Sequence, residues 1–512
     1  MTASTSKSQQ ETGKMPSMLA SWSVLGVMIL LIAASIVLFG ADVAEGPLQV
    51  SLTLATLYAM SMAYRYKFRG SLISDAISGS INGAIGTVFV VIAIGTMIGT
   101  LFLSGSVAAF MYYGAAIINP KFFYIIVFLL ASLLSSLVGS SFTTAGAIGT
   151  AFVALSSIMG LSPAITAGAA VSGAILGNKT AKISDTVNLT VASVGGLTLD
   201  EHTHLVKRTM IPTAILSALL FLLLGWSGGA DGGALDIAQI QATIADNFHI
   251  SLLAFLPVIM IFVLSGLRFS AFLSLMLSAV FAVILSAFTQ HDLIVRLAGD
   301  ASLPYFEAVL KVGIEVFTNG FQLNSGVEAL DTIFVGGGVA GMLMTVWLVL
   351  VAAAFGAVVG YTGMLTRIIT PVINWAKGPA SLVLVTMLTT IGLNFATADP
   401  YSSIMLSARM FRSEYAKKRL KPVLLSTAIG DSGSIFSHII PWNIHGAFYA
   451  GTFGLAATVW APYTFFSYLT PIVTFLLVRA YFLHKDKMAD DDDADQIYGA
   501  EPTELPAVKD LA

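Results

Sequence analysis

The sequence predicts an all-α polytopic membrane protein made of two inverted repeats, with broken or re-entrant helices at the midplane, and three observations predict it. Hydrophobic residues make up 56% of 512 and charged residues 10%, with mean hydropathy +0.86, far from the roughly 45–50% and 25% of soluble domains. Apolar runs of spanning length recur along the chain. Inside two of them lie polar interruptions with a related skeleton, Gly177-Asn178-Lys179-Thr180-Ala181-Lys182-Ile183-Ser184-Asp185-Thr186-Val187-Asn188-Leu189 and Gly430-Asp431-Ser432-Gly433-Ser434-Ile435-Phe436-Ser437-His438. An ionisable residue at membrane depth costs roughly 2.5–3.5 kcal/mol on insertion scales, so such breaks read as an ion or substrate pathway. One in each half of the chain suggests a transporter.

Residues 1–19 are read as a cytoplasmic tail, polar from Thr2 to Lys14. The run at 20–41 is an anchor, because no small-residue cleavage site follows it. With the run at 48–64 it forms an N-terminal helical unit over 20–80, which includes the basic cluster Arg65-Tyr66-Lys67-Phe68-Arg69. Residues 71–82 read as an amphipathic cytoplasmic connector. A first transport repeat, 81–226, holds runs at 83–103, 122–138, 143–160, 164–190 and 209–226. Residues 227–335 link the repeats: a loop at 227–250 with Asp231, Asp236 and Asp246 but no Lys or Arg is external, spans follow at 251–266 and 270–289, and 291–333 form an external, partly helical cap carrying Glu307, Glu315, Glu328 and Asp331. The second repeat, 336–484, holds runs at 336–359, 379–396, 422–447 and 462–483, and a shorter piece at 399–411. Residues 485–512, with the Asp490 to Asp493 run, read as an acidic disordered tail. Placing Lys207-Arg208, Arg268, Arg409 to Lys421 and Lys485 to Lys487 inside gives about fourteen crossings with both termini cytoplasmic.

That path tests the repeat. Gly95-Thr96-Met97-Ile98-Gly99 before Ser104-Gly105 is similar to Gly356-Ala357-Val358-Val359-Gly360 before Thr362-Gly363, and the first is entered from inside, the second from outside. Several functions are excluded. The chain has no cysteine, hence no disulfide or thiolate site. It has no phosphate-binding Gly-x4-Gly-Lys-Ser/Thr loop and no His-Glu-x-x-His. Gly430-Asp431-Ser432-Gly433 looks like a serine-protease nucleophile surround but lies in a chain that cannot build that barrel. Nothing suggests nucleic acid, since basic and acidic residues number 25 and 28. The expectation is a transporter, not an enzyme, with no cofactor.

Five motifs in order carry a family resemblance: Gly95-Thr96-Met97-Ile98-Gly99 through Met111-Tyr112-Tyr113-Gly114, Gly139-Ser140-Ser141-Phe142-Thr143-Thr144-Ala145-Gly146, Ile183-Ser184-Asp185-Thr186-Val187-Asn188-Leu189, Ser407-Ala408-Arg409-Met410-Phe411 and Ile440-Pro441-Trp442-Asn443. Over about residues 80–480 the chain resembles the NhaC family of sodium/proton antiporters in the ion transporter superfamily, and is similar to exchangers of sodium and lactate for protons and malate. The resemblance implies secondary transport by alternating access in a bacterial inner membrane. It maps Asp185, Asn188, Asp399, Asp431 and Asn443 onto family positions. Three residues depart from the family pattern: Asn178 stands where Asp is usual, Lys182 where Pro is usual, and His438 where Pro is common.

The chemistry agrees. Sodium takes oxygen ligands, and a carboxylate out of water can hold either a proton or a cation. Asp185 and Asp431 are the candidate sodium and proton carriers, Asp399 supports them, and Asn188, Asn443, Thr144 and Ser184 line the site. Lys179 and Lys182 either pair with Asp185 or, with Asn178, attract an anionic substrate. Ser437 is a further ligand candidate, and His438 is either a pH sensor or a packing residue. Sodium, the proton and the bilayer are the expected partners. Proton- or sodium-coupled transport of a small organic anion or an amino acid is the alternative, a channel is a weaker one, and a homodimer is left open.

Overall fold

A computed structural model of the chain describes residues 13–227, 237–300, 302–373, 375–482 and 498. The expectations for the first twelve residues, for Asp231 and Asp236, and for the tail beyond 482 apart from Tyr498 lie outside the described residues.

The described residues are helical almost throughout. In order, the helices are α1 (Met18–Phe39), α2 (Pro47–Arg65), α3 (Gly70–Leu103), α4 (Ser106–Ile117), α5 (Phe123–Val138), α6 (Ser141–Ile158, with a π turn at Ala145–Gly149), α7 (Pro163–Thr180), α8 (Asp185–Val194), α9 (Leu199–Ser227), α10 (Ile237–Asn247), α11 (Leu256–Gly266) and α12 (Ala271–Thr289). There follow α13 (His291–Ala298), α14 (Tyr305–Asn319), α15 (Glu328–Ile333), α16 (Gly338–Tyr361), α17 (Met364–Ile373), α18 (Pro379–Thr397), α19 (Pro400–Lys417), α20 (Pro422–Gly430), α21 (Gly433–Phe436), α22 (Ile444–Phe453), α23 (Ala457–Trp460) and α24 (Phe465–Leu477). A short antiparallel ladder pairs Phe321–Gln322 with Val335–Gly336. Among the described residues, eight helices are long and apolar enough to cross a membrane, or up to eleven if each bent pair counts as one span.

Five segments differ from the hydropathy reading. The segment 71–82 is no separate connector but the first part of α3, a 34-residue helix. Its rise of about 51 Å exceeds the roughly 30 Å hydrocarbon core, so hydropathy reports only its apolar part. The run 164–190 is two helices separated by Ala181–Ser184, and 422–447 is α20, α21 and α22. The span at 209–226 begins earlier, at Leu199, in a polar first turn with Asp200 and Glu201. The piece at 399–411 is the full helix α19, to Lys417.

One succession of elements occurs twice. A long helix ends at a left-handed glycine, Gly105 or Gly363, before a shorter one. The next helix ends at a left-handed residue, Gly139 or Ala398, followed by a polar N-cap, Ser140 or Asp399. The helix after that pair starts with proline, Pro163 or Pro422, where the missing N–H is no loss, and then breaks. Polar N-caps Ser184 and Asn443 restart the chain. In this register Ser172 answers to Asp431 and Lys179 to His438, whereas the motif skeletons align Gly177 with Gly430. Short Gly/Ser strings match in several registers; helix caps match in one.

Glycines set the depth of the breaks. A Cβ on Gly173 or Gly177 would collide with the carbonyls of Phe128 and Ser132, so α7 lies backbone to backbone on α5 and carries Asn178 and Lys179 into the interior. Such close approach is the usual role of small residues between membrane helices.

Candidate functional site

Asp431 follows the last residue of α20 and is fully buried. Its Oδ2 accepts hydrogen bonds from Thr209 Oγ1 on α9 (2.9 Å) and Thr474 Oγ1 on α24 (2.8 Å). Its Oδ1 faces the buried ammonium of Lys179, with Nζ 3.6 Å away, and has no hydrogen-bond partner. Two isolated charges could not be placed here, because the desolvation penalty is several kcal/mol per ion. Each is tolerable because the other is present. Gly430 makes the approach possible, since Lys179 Nζ lies 2.6 Å from where a Cβ at 430 would stand.

The carboxylate of Asp185 is in a different setting. Asp185 is the first residue of α8, capped by Ser184, whose Oγ accepts from Val187 N (3.4 Å). Its side chain is exposed, its Oδ2 accepts a 2.5 Å hydrogen bond from the Tyr401 hydroxyl, and its Oδ1 accepts from Thr186 N (2.7 Å). The expectation that Asp185 is desolvated is therefore corrected: the break in the first half ends at the protein surface. Neither lysine pairs with it. Lys179 is held by Asp431, and the exposed Lys182 bonds to Asp200, away from any buried pathway.

Asp399 is half-buried, and its carboxylate is taken up by helix geometry: Oδ1 and Oδ2 accept from Tyr401 N (3.2 Å) and Ser402 N (2.8 Å), capping α19. Asn188 is exposed and donates to the carbonyls of Lys182 (3.0 Å) and Ser184 (2.7 Å), bracing the break. Asn443 is buried, caps α22 through His445 N (3.1 Å) and donates to the Asn394 carbonyl (3.3 Å), while Asn394 donates to Gly433 O (2.8 Å). Thr144 is buried and bonds back to Ser140 O (3.0 Å) at the start of the π turn. Ser437 Oγ is 2.6 Å from His445 Nδ1, and His438 Nε2 is 2.7 Å from Ser467 Oγ with the ring buried. Asn178 donates to Thr186 Oγ1 (3.5 Å), leaving its own Oδ1 unpartnered.

The structure thus brings the two halves together at their breaks and gives the two carboxylates different partners, Tyr401 for Asp185 and Lys179, Thr209 and Thr474 for Asp431. Contacts across the halves include Lys179 to Asp431, Tyr401 to Asp185, Thr209 to Asp431, His202 to Ser426 (3.0 Å), and Phe142 against His445 and Phe448, with centroids 4.7 and 4.1 Å apart. Sequence reasoning missed Thr209, Thr474, His202 and Tyr401. Only Tyr401, beside Asp399-Pro400, had a nearby motif to flag it. What the Asp431 cluster can do chemically is hold one monovalent positive charge against one carboxylate, with hydroxyl oxygens alongside.

Comparison with known proteins agrees with a transporter. The profile described as "Na+/H+ antiporter family" matches residues 1–229 and 179–480. The chain is similar to the Na(+)/H(+) antiporter NhaC of Alkalihalophilus pseudofirmus, 30% identical over 453 residues, which are 88% of this chain and 93% of that protein. It is also similar to the arginine/ornithine antiporter ArcD of Halobacterium salinarum (28% identical, 88% and 89% covered) and to the malate-2H(+)/Na(+)-lactate antiporter of Bacillus subtilis (23%, 89% and 93%).

Proposed function

The chain belongs to the Na+/H+ antiporter family, and we propose that it exchanges the two ions by letting sodium and the proton of the Lys179 ammonium compete for Asp431. It is a multi-pass membrane protein and a secondary active sodium/proton antiporter, not an enzyme. The observation that carries the competition is the buried pair itself, Lys179 from the first half at 3.6 Å from Asp431 of the second.

The steps follow from electrostatics. With no sodium, Lys179 neutralises Asp431. A sodium ion takes Oδ1, which has no hydrogen-bond donor, and turns the Thr209 and Thr474 hydroxyls from donors into neighbouring oxygen ligands. The ammonium, left without its counter-charge in a dry interior, gives up a proton. Reversing the step on the other side of the membrane returns the proton and expels sodium. The two halves act as inverted units that rock about this pair, in a bacterial inner membrane with both termini cytoplasmic. Tyr401–Asp185 is a cross-half bond at the surface that closes and opens with them.

The second reading, exchange of a small organic anion or an amino acid, is supported by the names of two relatives. Lys182, exposed and paired with Asp200, lends this reading less support than the buried Lys179. Proton flux in proteoliposomes, challenged in turn with sodium, potassium, lithium, lactate, malate and amino acids, tests both. A sodium-triggered flux supports sodium/proton exchange; silence to sodium with a response to an organic solute replaces it with the second reading.

A further inference from the structure

Lys179 has another polar neighbour that the exchange cycle above leaves unused. His202 is fully buried at the start of α9. Its Nδ1 is 3.0 Å from Ser426 Oγ, and the Ser426 hydroxyl donates to the Val423 carbonyl at 3.0 Å. With the hydroxyl hydrogen committed there, the network assigns the imidazole proton to Nδ1 and leaves Nε2 as an acceptor. Nε2 has no hydrogen-bond partner, and a buried acceptor without a donor is costly to keep. It borders the space over Gly430: the point where a Cβ there would stand is 3.9 Å from His202 Nε2 and 2.6 Å from Lys179 Nζ.

When a cation takes Asp431, the Lys179 amine left after proton release still carries N–H groups and needs an acceptor in a dry interior. We propose that His202 Nε2 is that acceptor, a second berth to which the Lys179 nitrogen swings across Gly430 while sodium occupies Asp431. The proposal rests on the reading that sodium takes Asp431. His202 is a positioning residue in this scheme: it touches neither ion, and it lowers the cost of the sodium-bound state by satisfying the lysine that sodium displaces. Gly430 leaves the space open, because a Cβ there would stand within 4 Å of both nitrogens. An orphaned acceptor beside a displaceable donor is otherwise a loss with no return.

The test is the sodium dependence of proton flux in proteoliposomes for four variants and the unsubstituted protein. His202→Asn keeps a donor where Nδ1 meets Ser426 but has nothing at the Nε2 position; His202→Gln places an amide oxygen near it. Losing one hydrogen bond to the displaced amine corresponds to a rise in KM for sodium of up to about tenfold. The expected result is that rise in His202→Asn with the maximal rate little changed, and recovery of most of it in His202→Gln. Ser426→Ala, which releases the ring tautomer without touching the lysine, is expected to raise KM by a smaller factor. An unchanged KM in both His202→Asn and Ser426→Ala overturns the proposal, as does a loss of flux in His202→Asn that His202→Gln does not recover. Asp431→Asn separates the two levels: sodium-driven flux that survives it removes the underlying reading, whereas flux lost there with KM unchanged in the His202 and Ser426 variants removes only the berth.

Discussion

The two breaks are built alike and used differently. Each follows a helix that starts with proline, and each ends at a polar N-cap, Ser184 or Asn443. In the first half the acid follows the cap and opens to the surface, tied to Tyr401; in the second the acid precedes the break, fully buried against Lys179, Thr209 and Thr474. At the position that answers to Asp431 the first half has Ser172, a buried hydroxyl without a partner. Where the first half places Lys179, the second has His438. The comparison teaches that a like succession of helices and caps serves as scaffold in both halves, while the charge chemistry is divided: one half contributes the cation and the other the carboxylate, so neither can be buried without its counterpart.

The largest effect expected from breaking this asymmetry is at Asp431. Asp431→Asn leaves Lys179 buried without a counter-charge, and losing one partner of a buried pair costs about 3–5 kcal/mol. Sodium-driven proton flux is expected to vanish and the detergent-solubilised protein to melt at lower temperature; adding Lys179→Gln restores much of the stability but not the flux. Normal exchange by the single variant contradicts the division of labour. Asp185→Asn and Tyr401→Phe come next. If Asp185 were a second carrier, Asp185→Asn would abolish coupled exchange, but its exposed carboxylate and the Tyr401 bond predict a several-fold loss of rate, similar in the two variants. Parallel kinetics of the two, and a double variant no worse than either, are the check.

Further down the scale, Asp399→Ala removes the cap of α19 at a cost of about 0.5–2 kcal/mol. Asp399→Ser is expected to recover the melting temperature, which a carrier carboxylate could not allow for transport. At the bottom, Lys182→Ala breaks an exposed pair with Asp200 and is expected to leave flux and its salt dependence unchanged; a large loss would return Lys182 to the substrate path.

The parts visible in the sequence are those that the bilayer itself enforces. Runs such as 48–64 and 336–359 match α2 and α16 closely, because a span must be apolar over a fixed length. The positions of the breaks were also legible, since charges such as Lys179 and Asp431 stand out there. Their pairing was not. Lys179 lies one to two helical turns before Asp185 in sequence, yet it bonds to a residue of the other half, and spacing carries no information about contacts across the repeats. Thr209 and Thr474 sit in ordinary-looking spans, where threonine commonly bonds back to its own helix, and only the fold shows that both converge on one oxygen. His202 was hidden by the polar start of α9, next to the exposed Asp200 and Glu201 and ahead of the apolar run at 209–226.

The central claim is that sodium and the Lys179 proton compete for Asp431, and proton release on sodium binding measures it most directly. Purified protein in lightly buffered detergent solution is titrated with sodium while pH is followed, for the unsubstituted chain and for Lys179→Gln. The account predicts protons released in step with sodium by the former, and sodium binding without proton release by the latter. Equal release from both would contradict it and place the exchanged proton on another group.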